Sequence, residues 1–110
     1  MTTVSIHDKY VEVLTVFGDL QQAVELALQR YTIEQVTAKI TELRQKNARY
    51  QAKYGMDYPA FAERIATDEA FVKQVETSLD KTWEFDLADW EFSYKGIEDW
   101  MQKLQAILLT

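Results

Sequence analysis

Apolar residues near the C-terminus recur in alternating steps of four and three: Trp83, Leu87, Trp90, Tyr94, Ile97, Met101, Leu104 and Leu108. This is the heptad stripe of a long helix, with apolar residues at its first and fourth positions. Phe85 and Phe92, seven apart, fall on the face opposite this seam, and Trp100 and Ile107 widen the apolar surface further. A helix apolar on two faces is either buried on both sides or meets a partner. Glu84, Asp86, Asp89, Glu91, Glu98 and Asp99 surround the stripe. An acidic, aromatic helix of this kind suits docking better than catalysis. Its seam is expected to form core or homodimer packing.

The pattern is different at the N-terminus. Thr2 to Ile6 alternates, with Val4 and Ile6 on one face and Thr3 and Ser5 on the other, which predicts a short strand. A lone strand cannot satisfy its backbone hydrogen bonds. No convincing second strand follows, so pairing with the same strand of a second copy is expected. From Asp8 the spacing turns helical through Ile6, Tyr10, Val13, Leu14 and Phe17, predicting a helix over Asp8 to Phe17. The β-branched run Val11, Val13, Thr15, Val16 competes for a strand. Gly18 interrupts. Asp19 can cap the next helix, with Gln22 completing a capping-box pattern. Leu20, Ala23, Val24, Ala27, Leu28 and Tyr31 line one face of that helix.

Thr32 with Gln35 either starts a new helix or sits within a continuing one. Ile33, Val36, Ile40, Leu43, Asn47, Tyr50 and Tyr54 form the next run, with Asn47 placed to set register between paired helices. Gly55 is the expected C-terminal cap. Asp57 and Pro59 restart a short helix through Ala66, carrying Phe61 and Ile65. Thr67 is the expected cap of the last stretch, which is one helix or breaks near Asp80. The expected class is mainly α: a short N-terminal strand, then helices, then a long helical extension. Two regions are expected, residues 1–54 for dimerisation with an extended basic helix, and residues 55–110 as an acidic aromatic helical region.

Charge supports that division. Residues 1–29 carry one base and four acids, residues 30–54 six bases and two acids, and residues 55–110 five bases and twelve acids. The basic stretch, interleaved with Tyr31, Tyr50 and Tyr54, is a solvated face, an acceptor for the acidic helix, or a nucleic-acid contact. There is no cysteine, which excludes disulfides and thiol chemistry. No apolar run is long enough to span a membrane and no signal peptide opens the chain, so a cytosolic protein is expected.

Catalytic sets are missing. His7 is the only histidine, and beside a strand end it is expected to be structural or solvated. The pairs Glu84/Asp86 and Asp89/Glu91 are two apart, so on a helix they diverge. No glycine-rich phosphate loop appears. A non-enzymatic chain without metal or cofactor is expected.

The strings TTVSI, HDKYVEVLTVFG and DLQQAVELALQRY, within residues 2 to 31, resemble the ribbon-helix-helix fold. The strings KYGMDYPAFAERIA and TWEFDLADWEFSYKGIEDW resemble small bacterial, often cyanobacterial, antitoxins of toxin–antitoxin pairs. The resemblance implies a homodimer whose N-terminal strands pair through Val4 and Ile6. It also implies a cognate toxin held by the C-terminal extension, and DNA contacted through Thr3 and Ser5. Thr and Ser release no counterions, and the net acidity of residues 1–29 opposes phosphate contact, so a ribbon that only dimerises is favoured. The residues expected to meet the toxin are Phe85, Phe92, Trp100, Glu84, Asp89 and Glu91. A DNA-binding regulator and a purely structural helical oligomer are the competing expectations.

Overall fold

A computed structural model describes residues 3–109; Met1, Thr2 and Thr110 lie outside the described residues. The chain is mainly helical: α1 (Asp8–Leu14), a 3₁₀ turn (Thr15–Phe17), α2 (Leu20–Tyr54), α3 (Tyr58–Thr67), α4 (Glu69–Ser78) and α5 (Trp83–Leu108). It divides into two compact units, one up to Gln35 and one from Val36 onward.

No strand is present among the described residues, which corrects the expected strand over Thr2 to Ile6. A strand exists only as one side of a ladder, and a single chain of this sequence offers no second side. Val4 and Ile6 are exposed. The β-branched run does not prevent helix formation in α1. Thr15 is the C-terminal cap of that helix, and its hydroxyl donates to the Val11 carbonyl at 2.9 Å. Gly18 then adopts φ 133° and ψ −154°, a region open essentially to glycine alone.

Asp19 caps α2 by accepting the Gln22 N–H at 3.3 Å. The helix does not restart at Thr32; that hydroxyl donates back to the Leu28 carbonyl at 2.7 Å, and no glycine or proline interrupts the ladder. Gly55, at φ 73°, terminates α2 and sends its N–H to Gln51. Asp57 caps α3 by accepting the Ala60 N–H at 2.9 Å, with Pro59 in the first turn.

At the next junction the expected cap is displaced by one residue. Asp68, not Thr67, caps α4, accepting the Phe71 N–H at 3.1 Å. Thr67 instead completes α3 and donates its hydroxyl to the Glu63 carbonyl. A carboxylate is the stronger acceptor for a helix N-terminus. The chain breaks again at Asp80, whose carboxylate accepts both the N–H and the hydroxyl of Thr82, at 2.7 and 2.6 Å. That local turn separates α4 from α5.

The core lies in the second unit. Tyr54, Phe61, Phe71, Val75, Trp83 and Trp90 form one buried cluster. Trp90 is fully buried, with Tyr50, Tyr54, Tyr58 and Phe61 rings at 5.4–5.9 Å from its own. Pairs of this kind contribute about 0.5–1.5 kcal/mol each beyond their area. Val36, Ile40 and Leu43 extend the buried side of α2. Within this unit α2 and α5 run antiparallel, since Tyr54 meets Asp86, Asn47 meets Trp90, and Leu43 meets Gly96.

Candidate partner-binding surfaces

None of the described residues of the first unit is buried. Tyr10, Val13, Phe17, Leu26, Leu28 and Tyr31 are each more than half exposed, and Ile6, Leu14, Val24 and Ile33 are only partly covered. Two grooves follow from this. One is lined wholly by apolar residues, with Ile6, Tyr10 and Val13 meeting Val24 and Leu28. The other runs past Phe17, Gly18, Leu26 and Tyr31, with Arg30 and Asp19 at its rim. Helix amphipathicity anticipated the stripe of α2 in this unit; Leu26 lies off that stripe and was not anticipated. Thr3 and Ser5 are exposed.

In the second unit a polar ladder fixes α5 to α2. Lys53 reaches Asp80 and Asp86 at 2.7 and 2.6 Å. The Tyr54 hydroxyl donates to Asp86 and the Tyr50 hydroxyl to Asp89, each at 2.6 Å, and Lys46 pairs with Asp89 at 3.1 Å. Bonds to Lys53 and Thr82 hold the Asp80 carboxyl well below its ordinary range, and the Tyr50 bond, with Lys46, lowers Asp89. Burial, followed by the bond to Asp89, pushes Tyr50 up to about 12, and burial with the Asp86 bond raises Tyr54. Sequence reasoning anticipated an acidic helix against a basic one but not this ladder. Its signal was the placement of Lys46, Tyr50, Lys53 and Tyr54 at helical spacing opposite Asp80, Asp86 and Asp89.

The residues expected to meet a partner divide accordingly. Phe85 and Phe92 are 78 % and 69 % exposed. Glu84 is exposed, Trp100 is half-buried with Lys103 over its ring at 4.8 Å, and Glu91 pairs with Lys95 at 2.6 Å. Asp89 is committed to Lys46 and Tyr50 within the chain. Phe85 and Phe92, seven apart on α5, thus share an open face, Glu84 is exposed next to Phe85 in the chain, and Asp89 is engaged within the fold. Every buried side-chain N or O among the described residues has a hydrogen-bond partner, and no group of His, Asp and Glu among them is arranged to hold a metal. No described helix is long and apolar enough to cross a membrane. No protein-family model, curated protein or solved structure matches the chain.

Proposed function

We propose that the chain is a homodimeric binding protein without enzymatic activity, the antitoxin component of a toxin–antitoxin pair. It dimerises through its first unit and holds a partner protein with the outer face of α5. The observation that carries this is the first unit itself, two helices and a turn whose apolar side chains are nowhere buried. A unit below about 40 residues needs disulfides, a metal or association to stay folded; this one has no cysteine, and its described residues include no group arranged to hold a metal. Covering these side chains in a second copy removes apolar surface from water, at about 25 cal/mol per Å².

A second copy also supplies the missing side of a ladder for residues 2–6, as the ribbon-helix-helix resemblance implies. The antitoxin role rests on that family resemblance and on the acidic, aromatic surface of residues 55–110, which suits a basic toxin surface. A DNA-binding regulator acting through Thr3 and Ser5 is the weaker proposal, because Lys46 and Lys53 are occupied by α5 and neighbouring carboxylates.

Sedimentation equilibrium at micromolar concentration tests dimerisation. About twice 12.9 kDa is expected, with deletion of residues 1–6 loosening the dimer far more than deletion of residues 109–110. A clean monomer would remove the proposal. A salt-dependent DNA gel shift, set beside pull-down of the neighbouring gene's product, separates toxin capture from DNA binding.

A further inference from the structure

The heptad stripe of α5 is covered along one column only. Trp90 is fully buried, and Ile97 and Leu104 are half-buried. Tyr94, Met101 and Leu108, seven apart, are 40, 38 and 57 % exposed. Up to Tyr94 the open side is covered by α3, whose Tyr58 ring lies 5.7 Å from Trp90 and 5.0 Å from Tyr94. Past Tyr94 the same trough continues uncovered between α2 and α5, with Arg44 and Asn47 on one wall and Tyr94, Ile97, Glu98 and Met101 on the other.

Two opposite charges stand on these facing walls without joining. Arg44 contacts the Met101 sulfur at 3.5 Å. Neither Arg44 nor Glu98 forms an ion pair among the described residues. Both walls are helices with their ladders closed, so neither presents an edge to an added strand. An open column repeating every seven residues is matched by another helix.

We propose that this trough receives an amphipathic helix of the partner protein, lying in line with α3. That helix carries an apolar stripe against Tyr94, Ile97 and Met101, a carboxylate on the flank facing Arg44, and a cation on the flank facing Glu98. From Tyr94 to Gln105 the trough is roughly three turns long, which sets the length of the occupant. The proposal goes beyond the outer-face contact above, adding a second contact on the seam side of α5, and rests on the partner-binding role.

The probes are two synthetic helical peptides of that length with the same leucine stripe. One has an acidic flank and a basic flank in the matching order; the other has the flanks exchanged. Fluorescence anisotropy against the full chain should show the matching peptide binding about tenfold tighter or more. The double variant Arg44→Glu, Glu98→Arg should reverse that preference, and Met101→Glu should abolish binding of both. Absence of binding, equal binding of the two peptides, or an unchanged preference in the double variant would overturn the proposal. A drop in the mass of the free protein on Met101→Glu would also overturn it, by making a second copy the occupant. Dimerisation through the first unit is measured separately by the truncation at residues 1–6, so failure here and failure of the dimer are told apart.

Discussion

Trp90 donates its indole N–H to the side-chain oxygen of Asn47 at 2.7 Å, and the ring is otherwise enclosed by aromatic neighbours. The bond joins the C-terminal part of α2 to the N-terminal third of α5 and fixes their register. Removing the acceptor by Asn47→Ala strands a buried donor, which costs about 1–3 kcal/mol. Thermal melting should show that loss. In Trp90→Phe, which has no N–H to satisfy, the same Asn47 change should cost much less. Equal costs in both backgrounds would mean that the bond does not set stability.

The Lys53 cluster predicts a dependence on acid. The carboxyls of Asp80 and Asp89 are lowered in the folded chain. Their contribution is therefore complete above the ordinary carboxylate pKa of about 4 and is lost as pH falls through the lowered values. Melting temperature should decline below about pH 4. Lys53→Met, which removes the first cause of the Asp80 shift, should lower the neutral-pH value and flatten the decline. A variant with an unaltered acid limb would refute this account.

At the alkaline end the sign reverses. Tyr50 is raised to about 12 and Tyr54 is raised as well, so the folded chain holds the neutral phenols. That stabilisation is complete below the ordinary tyrosine pKa of about 10 and disappears as pH rises through the folded values. Absorbance at 295 nm should show Tyr50 and Tyr54 ionising only well above about pH 10, together with loss of helical circular dichroism. Ionisation of these two phenols near about pH 10 with the helix intact would contradict it.

Gly96 sits where a Cβ would lie 3.0 Å from the Leu43 side chain, which is 2 % exposed. Alanine gains up to about 1 kcal/mol of helix propensity but must displace Leu43, so Gly96→Ala should stay within about 1 kcal/mol of the parent. Gly96→Leu should cost about 1–3 kcal/mol, and Leu43→Ala in the same chain should return part of it. Chemical denaturation of the four proteins decides the matter.

Phe85 and Phe92 lie off the packed face. Changing both to Ser should leave the melting temperature close to the parent's, whereas Trp90→Ala should cost about 3–5 kcal/mol. The double Ser protein should still lose the neighbouring gene's product in a pull-down, since an anchor of this kind is worth about 2 kcal/mol or more. If it melts as early as Trp90→Ala, both faces are core.

Much of the helical plan was legible in the chain. The seam from Trp83 to Leu108 matches α5, and Asp19, Gly55 and Asp57 act as the caps their spacing implied. Thr67 misled because Thr and Asp compete at adjacent positions and periodicity does not weigh one acceptor against another. The N-terminal alternation could not become a strand within one chain, since a ladder needs a second side that composition does not report. Periodicity marked Tyr94 and Met101 as seam but could not show that α3 stops short of covering them. Whether a given apolar column is filled depends on where the neighbouring helix ends, and that is set by Asp57, Asp68 and the turn at Asp80 rather than by α5.

The long helix α2 is packed unevenly along its length, with buried side chains at Val36, Ile40, Leu43 and Tyr54 and none from Leu20 to Gln35. Its amides should therefore exchange with solvent deuterium in two regimes. Those beyond Val36 are protected by the folded core and exchange at a rate independent of protein concentration. Under the proposed dimerisation, those before it are protected only while a second copy covers the apolar side chains around them, so their exchange should slow as the chain is concentrated. On that proposal one continuous helix works as an internal gauge, its second half a fixed reference and its first half reporting how much of the protein is associated.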